Sequence, residues 1–246
     1  MYKRLLVISD NVHMCSSFNE IFNSLDLKEA SVNYSISPHS EKDAFENEFQ
    51  KEVLIINLKN KNHITQVINN YDLIFSIHCK QLFPKELVNS VKCINVHPGF
   101  NPINRGWYPQ VFSIVYDLPI GATIHEIDEY LDHGNIIDRA LVKKDITDNS
   151  ETLYTKVLKM ETELINKNLL TIIQNKYSTF TPENEGHLYL KSDFRKLCLI
   201  DLNENTNVGE FIDKLRALSH GDHKNAFFID KESGKKIFIK LNISYE

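Results

Sequence analysis

Residues 93–138 read CINVHPGFNPINRGWYPQVFSIVYDLPIGATIHEIDEYLDHGNIID, and this stretch decides how the rest of the chain is interpreted. It opens with a short apolar run that ends at a proline. If the run is a strand, its period of two places Asn95 and His97 on one face. Ile94 and Val96 then face the opposite way, into a core. Polar side chains at the end of a strand, beside a loop with Gly and Pro, are typical of a functional site.

The second half of the stretch adds another strand and a carboxylate. Residues 122–127 form an apolar run with a histidine in it, and residues 131–134 (Leu-Asp-His-Gly) supply a turn that contains Asp132. The stretch therefore offers an amide, an imidazole and a carboxylate. No serine or cysteine stands beside them in a recognisable nucleophile turn.

The residues before this stretch alternate between solid apolar runs and segments with helical spacing. The apolar runs predict buried strands at 5–9, 53–58 and 72–77, and the spacing predicts helices at 14–25, 64–68 and 84–91. Alternating strands and helices, with strands that are apolar throughout, predict an α/β fold with a parallel sheet covered on both faces.

The first strand is followed by a turn without glycine. The chain contains no glycine before Gly99, so neither a dinucleotide-binding G-x-G-x-x-G motif nor a P-loop can follow residues 5–9. Asp10 and Asn11 form the turn instead. Backbone N–H groups at the start of a helix there can attract an anion, and an Asp or Asn that simply caps the helix explains the turn equally well.

The second half of the chain is predicted to contain the rest of the first domain and a small C-terminal subdomain. Helices are expected at 107–115 and 151–173, and strands near 121–127 and 136–142 are candidates to pair with each other. Turn residues cluster at 181–186, which places a boundary between a domain at 1–180 and a small subdomain at 181–246. The subdomain is expected to hold a helix at 208–218 and a β-hairpin formed by 226–229 and 237–241.

Composition limits the class of protein. The net charge of −5 gives no sign of a nucleic-acid surface, and no apolar run approaches the length of a membrane span. The four cysteines form no C-x-x-C pair, which favours free thiols in a reducing compartment. We therefore expect a cytoplasmic protein without nucleic-acid or membrane partners.

The chemistry available to Asn95, His97 and Asp132 favours direct acyl transfer to an amine. A neutral imidazole can accept the proton of an attacking amine, and a carboxylate can orient that imidazole and stabilise its cation. An asparagine N–H can donate to the developing oxyanion. From the residues alone, a structural role for a histidine at a strand end remains an open alternative.

Four ordered pieces of the sequence resemble the 10-formyltetrahydrofolate-dependent formyltransferase family. These pieces are Asn-Val-His-Pro at 95–98, Arg-Gly at 105–106, Gly-Ala-Thr-Ile-His at 121–125 and Leu-Asp-His-Gly-Asn-Ile-Ile at 131–137. The resemblance covers roughly residues 1–175. It implies a Rossmann-like formyltransferase core in which Asn95, His97 and Asp132 match the catalytic asparagine, histidine and aspartate.

Within that family, the residues at 97–110 and the segments at 190–194 and 215–221 resemble the branch of sugar N-formyltransferases that act on dTDP-linked amino sugars. The resemblance implies N10-formyltetrahydrofolate as co-substrate and a dTDP-linked 4-amino-4,6-dideoxy sugar as acceptor, for O-antigen or related glycan synthesis. Another nucleotide-linked amino sugar, such as a 3-amino isomer, remains an alternative acceptor. A non-catalytic protein that binds a nucleotide sugar or folate is a further alternative.

The resemblance, together with the residue types in the loops, gives the expected binding residues. The folate co-substrate is expected to contact Ser76, Lys80, Gln81, Leu82, Asp128, Glu129 and Tyr130. The sugar nucleotide is expected to contact Asp10, Asn11, His78, Asn101, Asn104, Arg105, Trp107 and Tyr108. Loose proximity of four histidines does not amount to a zinc site, so no metal is expected.

Two of these assignments have structural alternatives. Arg105 can hold a pyrophosphate or the carbonyl groups of its own loop. Trp107 and Tyr108 can wall a sugar or base pocket, or they can begin a helix and pack on the core.

The C-terminal hairpin is expected to form a homodimer interface. Two strands alone are marginal in water, and Phe227, Ile229, Phe238 and Leu241 offer apolar surface. Packing of the hairpin on the protein's own first domain is the alternative.

Overall fold

The computed structural model describes residues 1–50 and 52–246. The strands are β1 (Arg4–Ser9), β2 (Ser31–Ile36), β3 (Leu54–Ile55), β4 (Leu73–Ile77), β5 (Lys92–His97), β6 (Asn104–Gly106), β7 (Ile120–Glu126), β8 (Ile136–Val142), β9 (His187–Tyr189), β10 (Phe227–Ile229) and β11 (Lys236–Phe238). The helices are α1 (Val12–Ser24), α2 (Lys42–Phe49), α3 (Lys61–Asn70), α4 (Lys85–Ser90), α5 (Pro109–Val115), α6 (Ser150–Ile173), α7 (Lys191–Cys198) and α8 (Val208–Leu218).

A seven-stranded sheet forms the centre of the fold, in the order β3-β2-β1-β4-β5-β7-β8. The strands from β3 to β5 are parallel, whereas β7 runs antiparallel to β5 and β8 antiparallel to β7. The α/β, Rossmann-like prediction is confirmed, and so is the pairing of the two later strands. At this edge, two antiparallel strands extend the parallel sheet that was predicted for the first half of the chain. β8 is mostly half-buried, and antiparallel strands tolerate a face in contact with water.

Two elements near the N-terminus were not predicted, and one predicted strand is shorter than expected. β2 alternates polar residues with apolar ones in SVNYSI, and α2 is short and rich in charge, so neither gives a solid apolar signal. Of residues 53–58, only Leu54 and Ile55 pair, as the edge strand β3, and both side chains are exposed.

Helix α5 begins at Pro109 and not at Trp107, which corrects the predicted start. Tyr108 precedes it with φ +54° in the left-handed region, so the backbone at Tyr108 cannot continue a helix. Proline at the first helical position costs no hydrogen bond because that N–H has no partner within a helix. The predicted long helix is confirmed as α6, where a capping box between Asn149 and Thr152 fixes the start.

Three clusters of buried apolar residues stabilise the fold. One lies between the sheet and the helices α1 and α6, and another lies on the opposite face under α3 and α4. The third joins α5 and the start of α6 to α8 and the C-terminal hairpin. In addition, β9 pairs with β6 in a two-stranded parallel sheet. The C-terminal residues therefore share a core with α5 and the start of α6.

The predicted hairpin is present as β10 and β11, and one end of it packs on the protein's own core. Ala226 is fully buried and Phe227 is half-buried in the third cluster. Ile229, Ile237 and Phe238 are each more than two-fifths exposed. Among the described residues, no helix is both long enough and apolar enough to cross a membrane.

Candidate active site

Asn95, His97 and Asp132 lie together at the end of β5. Both β5 side chains point to the same face, and the loop between β7 and β8 brings Asp132 over them. Asn95 Nδ2 donates to Asp132 Oδ1 at 3.0 Å, and His97 Nδ1 lies 3.6 Å from Asp132 Oδ2. The grouping predicted from sequence is therefore present, with Asn95 closer to the carboxylate than His97 is.

The Asp132 carboxylate is almost fully buried and held by several groups. Its backbone has φ +48°, and Oδ2 accepts a hydrogen bond from the Gly106 N–H at 2.9 Å. Burial by itself raises the pKa of Asp132, but the imidazoles of His97 and His125, with the Gly106 N–H, outweigh it and hold this pKa below its ordinary value. The site therefore holds a buried negative charge beside His97.

The His97 ring is fixed on its other side by a loop carbonyl. Nε2 lies 2.9 Å from the carbonyl oxygen of Asn104, a distance that suits an N–H donor. Gly99 leaves room for this ring, because a Cβ at position 99 would lie 2.5 Å from His97 Nε2 and 2.6 Å from the Asn104 oxygen. The glycine in the His-Pro-Gly sequence is thus required by close packing against the imidazole.

His125 is a site residue whose contact with Asn95 was not predicted. Its Nδ1 lies 2.7 Å from the Glu126 carbonyl, so Nδ1 carries the hydrogen, and Nε2 accepts from Asn95 Nδ2 at 3.2 Å. The signal was available in the sequence as two strands with polar residues at alternate positions. Only the antiparallel register, which pairs Asn95 with His125, shows that they share a face.

The loop after β5 uses its asparagine side chains to hold its own shape. The Asn104 side chain accepts from the Phe100 N–H and donates to Ser113 Oγ. The Asn101 N–H donates to Thr123 Oγ1 at 3.0 Å, and Asn101 Nδ2 donates to the Asp132 carbonyl at 3.1 Å. Asn101 lines the cavity described below, whereas the Asn104 amide is fully buried among protein partners.

Arg105 contacts carbonyl groups, which is one of the two roles left open for it. Its guanidinium donates to the Leu131 carbonyl and to the Glu185 carbonyl at 2.9 Å each. Arg105 therefore ties the turn that carries Asp132 to the segment that follows α6.

The two aromatic residues that follow Gly106 contact helix α7. The Tyr108 ring stacks on Phe194 with centroids 4.0 Å apart, and Tyr108 packs against the third core cluster. Lys191 Nζ lies 3.7 Å from the Trp107 ring centroid. Tyr108 thus packs on the core, as one alternative expected, but without beginning the helix.

Residues of the expected folate segment at 76–82 differ in their exposure to solvent. Ser76 is buried and pairs with Asn95 across the sheet, whereas Leu82 is 72% exposed. The Gln81 side chain accepts from the Leu58 N–H and donates to the Ile56 carbonyl, so it holds the exit of β3 in place.

The other expected folate segment forms a polar rim. Asp128 accepts from His133 Nδ1 at 2.6 Å and from the Tyr130 N–H at 2.9 Å. Glu129 pairs with Lys85 at 2.8 Å, and Tyr130 is 61% exposed. These residues lie in the loop that carries Asp132.

The Asp10 carboxylate is engaged by the protein. It accepts from the Ser37 N–H at 3.1 Å, from the Ser40 hydroxyl and from the Lys80 N–H at 2.5 Å. Asp10 therefore joins the ends of β1, β2 and β4, while the Lys80 side chain is exposed.

His78 belongs to a chain of polar contacts that reaches the centre of α6, whereas Asn11 caps α1. Asn11 Oδ1 accepts from the Met14 N–H as the cap of α1. His78 Nε2 lies 2.8 Å and 3.0 Å from the two carboxylate oxygens of Glu161, and His78 Nδ1 lies 3.0 Å from the Tyr154 hydroxyl. Glu161 and Tyr154 were not predicted, because a helical glutamate gives no sequence signal of being buried.

A cavity of about 240 Å³ opens beside Asp132. It is lined by the 101–105 loop and the 132–134 turn on one side and by residues 181–185 on the other. The sequence interpretation treated 181–186 only as a boundary, so its part in the cavity wall was missed. Among residues 1–50 and 52–246, no group of three or more His, Cys, Asp or Glu residues is arranged to hold a metal ion.

Two family models match this chain. The formyl transferase family matches residues 29–169, and the N-formyltransferase dimerization C-terminal domain matches residues 193–245. The first match carries the strands and loops of the site. The chain therefore belongs to the formyltransferase family, and it is an enzyme that transfers a formyl group to an amine.

Several relatives match this chain over nearly its whole length. The chain is 38% identical over 242 residues to the dTDP-4-amino-4,6-dideoxyglucose formyltransferase of Mycobacterium tuberculosis, which covers 98% of this chain and 97% of that protein. A 4-N formyltransferase from Francisella tularensis matches with 42% identity, a TM-score of 0.93 and 99% coverage of both chains. A sugar N-formyltransferase from a Shewanella species matches with 34% identity, a TM-score of 0.94 and 99% coverage of both chains.

Proposed function

We propose that this enzyme transfers the formyl group of N10-formyltetrahydrofolate to the amine of a dTDP-linked amino-deoxy sugar, with dTDP-4-amino-4,6-dideoxyglucose as the favoured acceptor. The observation that carries the proposal is the grouping of Asn95, His97 and buried Asp132 beside the cavity. The acceptor is suggested by the relatives named above, which match over nearly the whole chain and not only at the site. The product would serve O-antigen or related glycan synthesis in the cytoplasm.

In the proposed reaction, a neutral sugar amine attacks the formyl carbon, the C–N bond to the sugar forms and the C–N bond to the folate breaks. His97 accepts the proton that the amine loses, and the charge of Asp132 at 3.6 Å stabilises the resulting imidazolium. The imidazolium then returns this proton to N10 of the folate, which leaves as tetrahydrofolate. An ammonium ion cannot attack a carbonyl, so the rate should fall at acid pH as the amine and His97 become protonated. The acid limb of the pH–rate profile would therefore report the titration of the amine and of His97 together.

Asn95 is proposed to donate to the oxyanion, and this role requires that one of its hydrogen bonds within the protein be broken. Both Asn95 N–H groups face protein acceptors, Asp132 at 3.0 Å and His125 at 3.2 Å. The contact with His125 is the longer, and its acceptor is a neutral nitrogen, so it is the easier to exchange for a developing negative charge. We propose that the amide turns from His125 toward the oxyanion as the reaction proceeds.

The folate is proposed to lie against the rim formed by residues 76–82 and 128–130. Leu82 and Tyr130 fit such a ligand, because two large exposed apolar side chains flank a polar loop and can cover a flat ring. When bound, the folate supplies the activated formyl group. In this proposal Ser76, Lys80, Gln81, Asp128 and Glu129 shape that rim.

The sugar nucleotide is proposed to cross the other side of the site, along residues 101–108 and the end of β1. Asn101 and Arg105 line the cavity and can reach a ligand there, whereas Asn104 and Tyr108 would act by holding the loop. The exposed part of Trp107, with Lys191 on its ring, supports a place for the base or its phosphates. Asp10, Asn11 and His78 would shape the part of the sugar-nucleotide site at the end of β1.

We propose a homodimer formed through the C-terminal hairpin. The match of residues 193–245 to a dimerization domain supports this, and Ile229, Ile237 and Phe238 provide an exposed apolar patch. We also propose that residues 1–180 form the catalytic domain and that residues 181–246 form a small subdomain for assembly. The shared third core cluster makes the two parts one packing unit.

The decisive experiment is an activity screen of the purified protein with formyl-folate and a panel of nucleotide-linked amino sugars. Turnover of the 4-amino sugar above the 3-amino isomer supports the favoured acceptor, and the reverse preference refutes the position of the amine alone. His97→Ala and Asn95→Ala should each lower turnover by about 10²–10⁴-fold in folded protein. Near-normal rates in both variants would refute the assigned roles, and absence of turnover with every sugar would refute the proposed function.

A further inference from the structure

Three side chains form a row across the sheet beneath the segment that follows β5. His97 on β5 pairs with Thr123 on β7, and Thr123 pairs with Arg139 on β8. Residues directly opposite each other in antiparallel strands have their side chains on the same face of the sheet. Each of the three side chains bonds to residues 99–104, which we call the 99–104 loop. The row therefore connects His97 to two residues that hold the same loop.

Thr123 holds the 99–104 loop at two positions. Its hydroxyl donates to the Gly99 carbonyl at 2.6 Å and accepts from the Asn101 N–H at 3.0 Å. Thr123 is fully buried, and a hydroxyl has only one hydrogen to donate, so the direction of both bonds is fixed. The Thr123 hydroxyl therefore fixes the backbone on both sides of Phe100.

Arg139 holds the same loop from the neighbouring strand. Its guanidinium donates to the Asn101 carbonyl, and the central carbon of the guanidinium lies 4.4 Å from the centroid of the Phe100 ring. A cation over the face of an aromatic ring is attracted by the ring electrons. Arg139 therefore adds an attachment beside the two that Thr123 makes.

The loop forms a turn between Phe100 and Asn104. The Phe100 carbonyl accepts from the Ile103 N–H at 2.9 Å, and the Phe100 N–H donates to Asn104 Oδ1 at 3.0 Å. These bonds tie the position of Asn104 to that of Phe100. Asn104 in turn places its carbonyl oxygen 2.9 Å from His97 Nε2. The bonds that Thr123 makes are thus connected, through one short turn, to the partner of the His97 ring.

The Asn104 carbonyl determines which nitrogen of His97 carries the hydrogen. A carbonyl oxygen only accepts, so a neutral His97 keeps its hydrogen on Nε2, and Nδ1 has the free lone pair. Nδ1 lies 3.6 Å from Asp132 Oδ2, which is too long for a hydrogen bond. A carboxylate is a stronger acceptor than a carbonyl, so Asp132 would draw the hydrogen to Nδ1 if the Asn104 carbonyl moved away. Nδ1 would then be unable to accept a proton.

We propose that Thr123 and Arg139 are positioning residues that keep His97 Nδ1 available as the proton acceptor. They do so by holding the Asn104 carbonyl against Nε2. This inference rests on the proposed function, since it assumes that His97 is the base of formyl transfer. Thr123 acts only through the 99–104 loop, because its hydroxyl is buried and bonded within the protein.

Thr123→Val is the sharpest test, because valine keeps the shape of the side chain and removes the hydroxyl. The kcat should fall about tenfold, the effect of two hydrogen bonds, whereas the KM for the sugar nucleotide and the KM for formyl-folate should stay unchanged. Thr123→Ser keeps the hydroxyl and should restore most of the kcat. Ser35→Ala is the matched control, because it removes another fully buried hydroxyl that donates to a backbone carbonyl, that of Val7. It should leave the kcat unchanged.

The position of the hydrogen on His97 can be measured without substrate, by NMR of isotope-labelled histidine nitrogens. The His97 signals are those that His97→Ala lacks. At a pH where the ring is neutral, the wild type should show the Nε2–H form, and Thr123→Val should show a larger share of the Nδ1–H form. Arg139→Met keeps an apolar chain over Phe100 but loses the donor, and it should shift the hydrogen in the same direction. This second variant keeps the inference testable if Thr123→Val does not fold.

The outcomes separate this inference from the proposed function. A folded Thr123→Val enzyme with the kcat and the His97 hydrogen position of the wild type overturns the positioning role and leaves the function in place. A fall in kcat without a shift of the hydrogen, or an equal fall in Ser35→Ala, also overturns it. Normal turnover in His97→Ala overturns the role of His97 as the base, and this inference with it. A wild-type protein that uses no nucleotide-linked amino sugar overturns the proposed function, while the NMR comparison still decides whether Thr123 controls the His97 ring.

Discussion

Replacing Asp132 with asparagine removes a buried negative charge while nearly preserving the shape of the side chain. The charge lies 3.6 Å from His97 Nδ1, and both side chains are less than a tenth exposed. At an effective dielectric constant of about 20, the attraction between two unit charges at this distance is about 4–5 kcal/mol. If His97 becomes an imidazolium in the transition state, the loss of this attraction lowers the rate by about 10³-fold, since each 1.4 kcal/mol is a factor of ten.

The expected result is therefore a fall in kcat of about 10³-fold for Asp132→Asn, measured as formylated sugar formed per unit time at saturating concentrations of both substrates. Circular dichroism and thermal unfolding would show that the variant is folded. Asp138→Asn is the matched control, because it removes a carboxylate paired with Lys167 and Asn168 on β8, away from His97. A loss of less than tenfold in a folded Asp132→Asn protein would refute a charge role for Asp132.

Three other predictions follow from the same site and from the hairpin. Gly99→Ala should lower kcat by at least tenfold in folded protein, because its Cβ would lie 2.5 Å from His97 Nε2; a rate within twofold of the wild type would contradict the packing argument. Because the pKa of Asp132 is held below its ordinary value of 3.8, Asp132 adds stability above about pH 4 that is lost as the pH falls through the lowered pKa. The difference in unfolding free energy between the wild type and Asp132→Asn, measured by urea denaturation, should therefore shift against the wild type below pH 4, and a shift in its favour would show the sign to be wrong. Phe238→Asp should convert the proposed dimer to a monomer in light scattering at micromolar concentration, whereas a charge added at the exposed hairpin tip, Ser233→Asp, should leave the dimer intact; a dimer that survives Phe238→Asp would exclude the hairpin interface.

The sequence by itself determined the class of fold and the order of the site residues. Solid apolar runs at β1 and β4, separated by segments with helical spacing, predict strands buried on both faces, so the α/β class followed from composition and spacing. The alternation of Asn95 and His97 with Ile94 and Val96 placed the polar pair on one face for the same reason. These are local properties, and a short window of sequence contains them.

Only the tertiary structure decided which distant residues meet. His125 reaches Asn95 through the antiparallel register of β7, and that register depends on how residues 96–124 fold. Glu161 is buried because α6 packs against the sheet and meets His78 after β4, and no pattern in α6 marks one glutamate as different from its neighbours. Residues 181–185 line the cavity because Arg105 binds the Glu185 carbonyl from 80 positions away. Contacts of this range are set by packing of the whole chain, whereas a strand or a helix is set by the spacing of its own side chains.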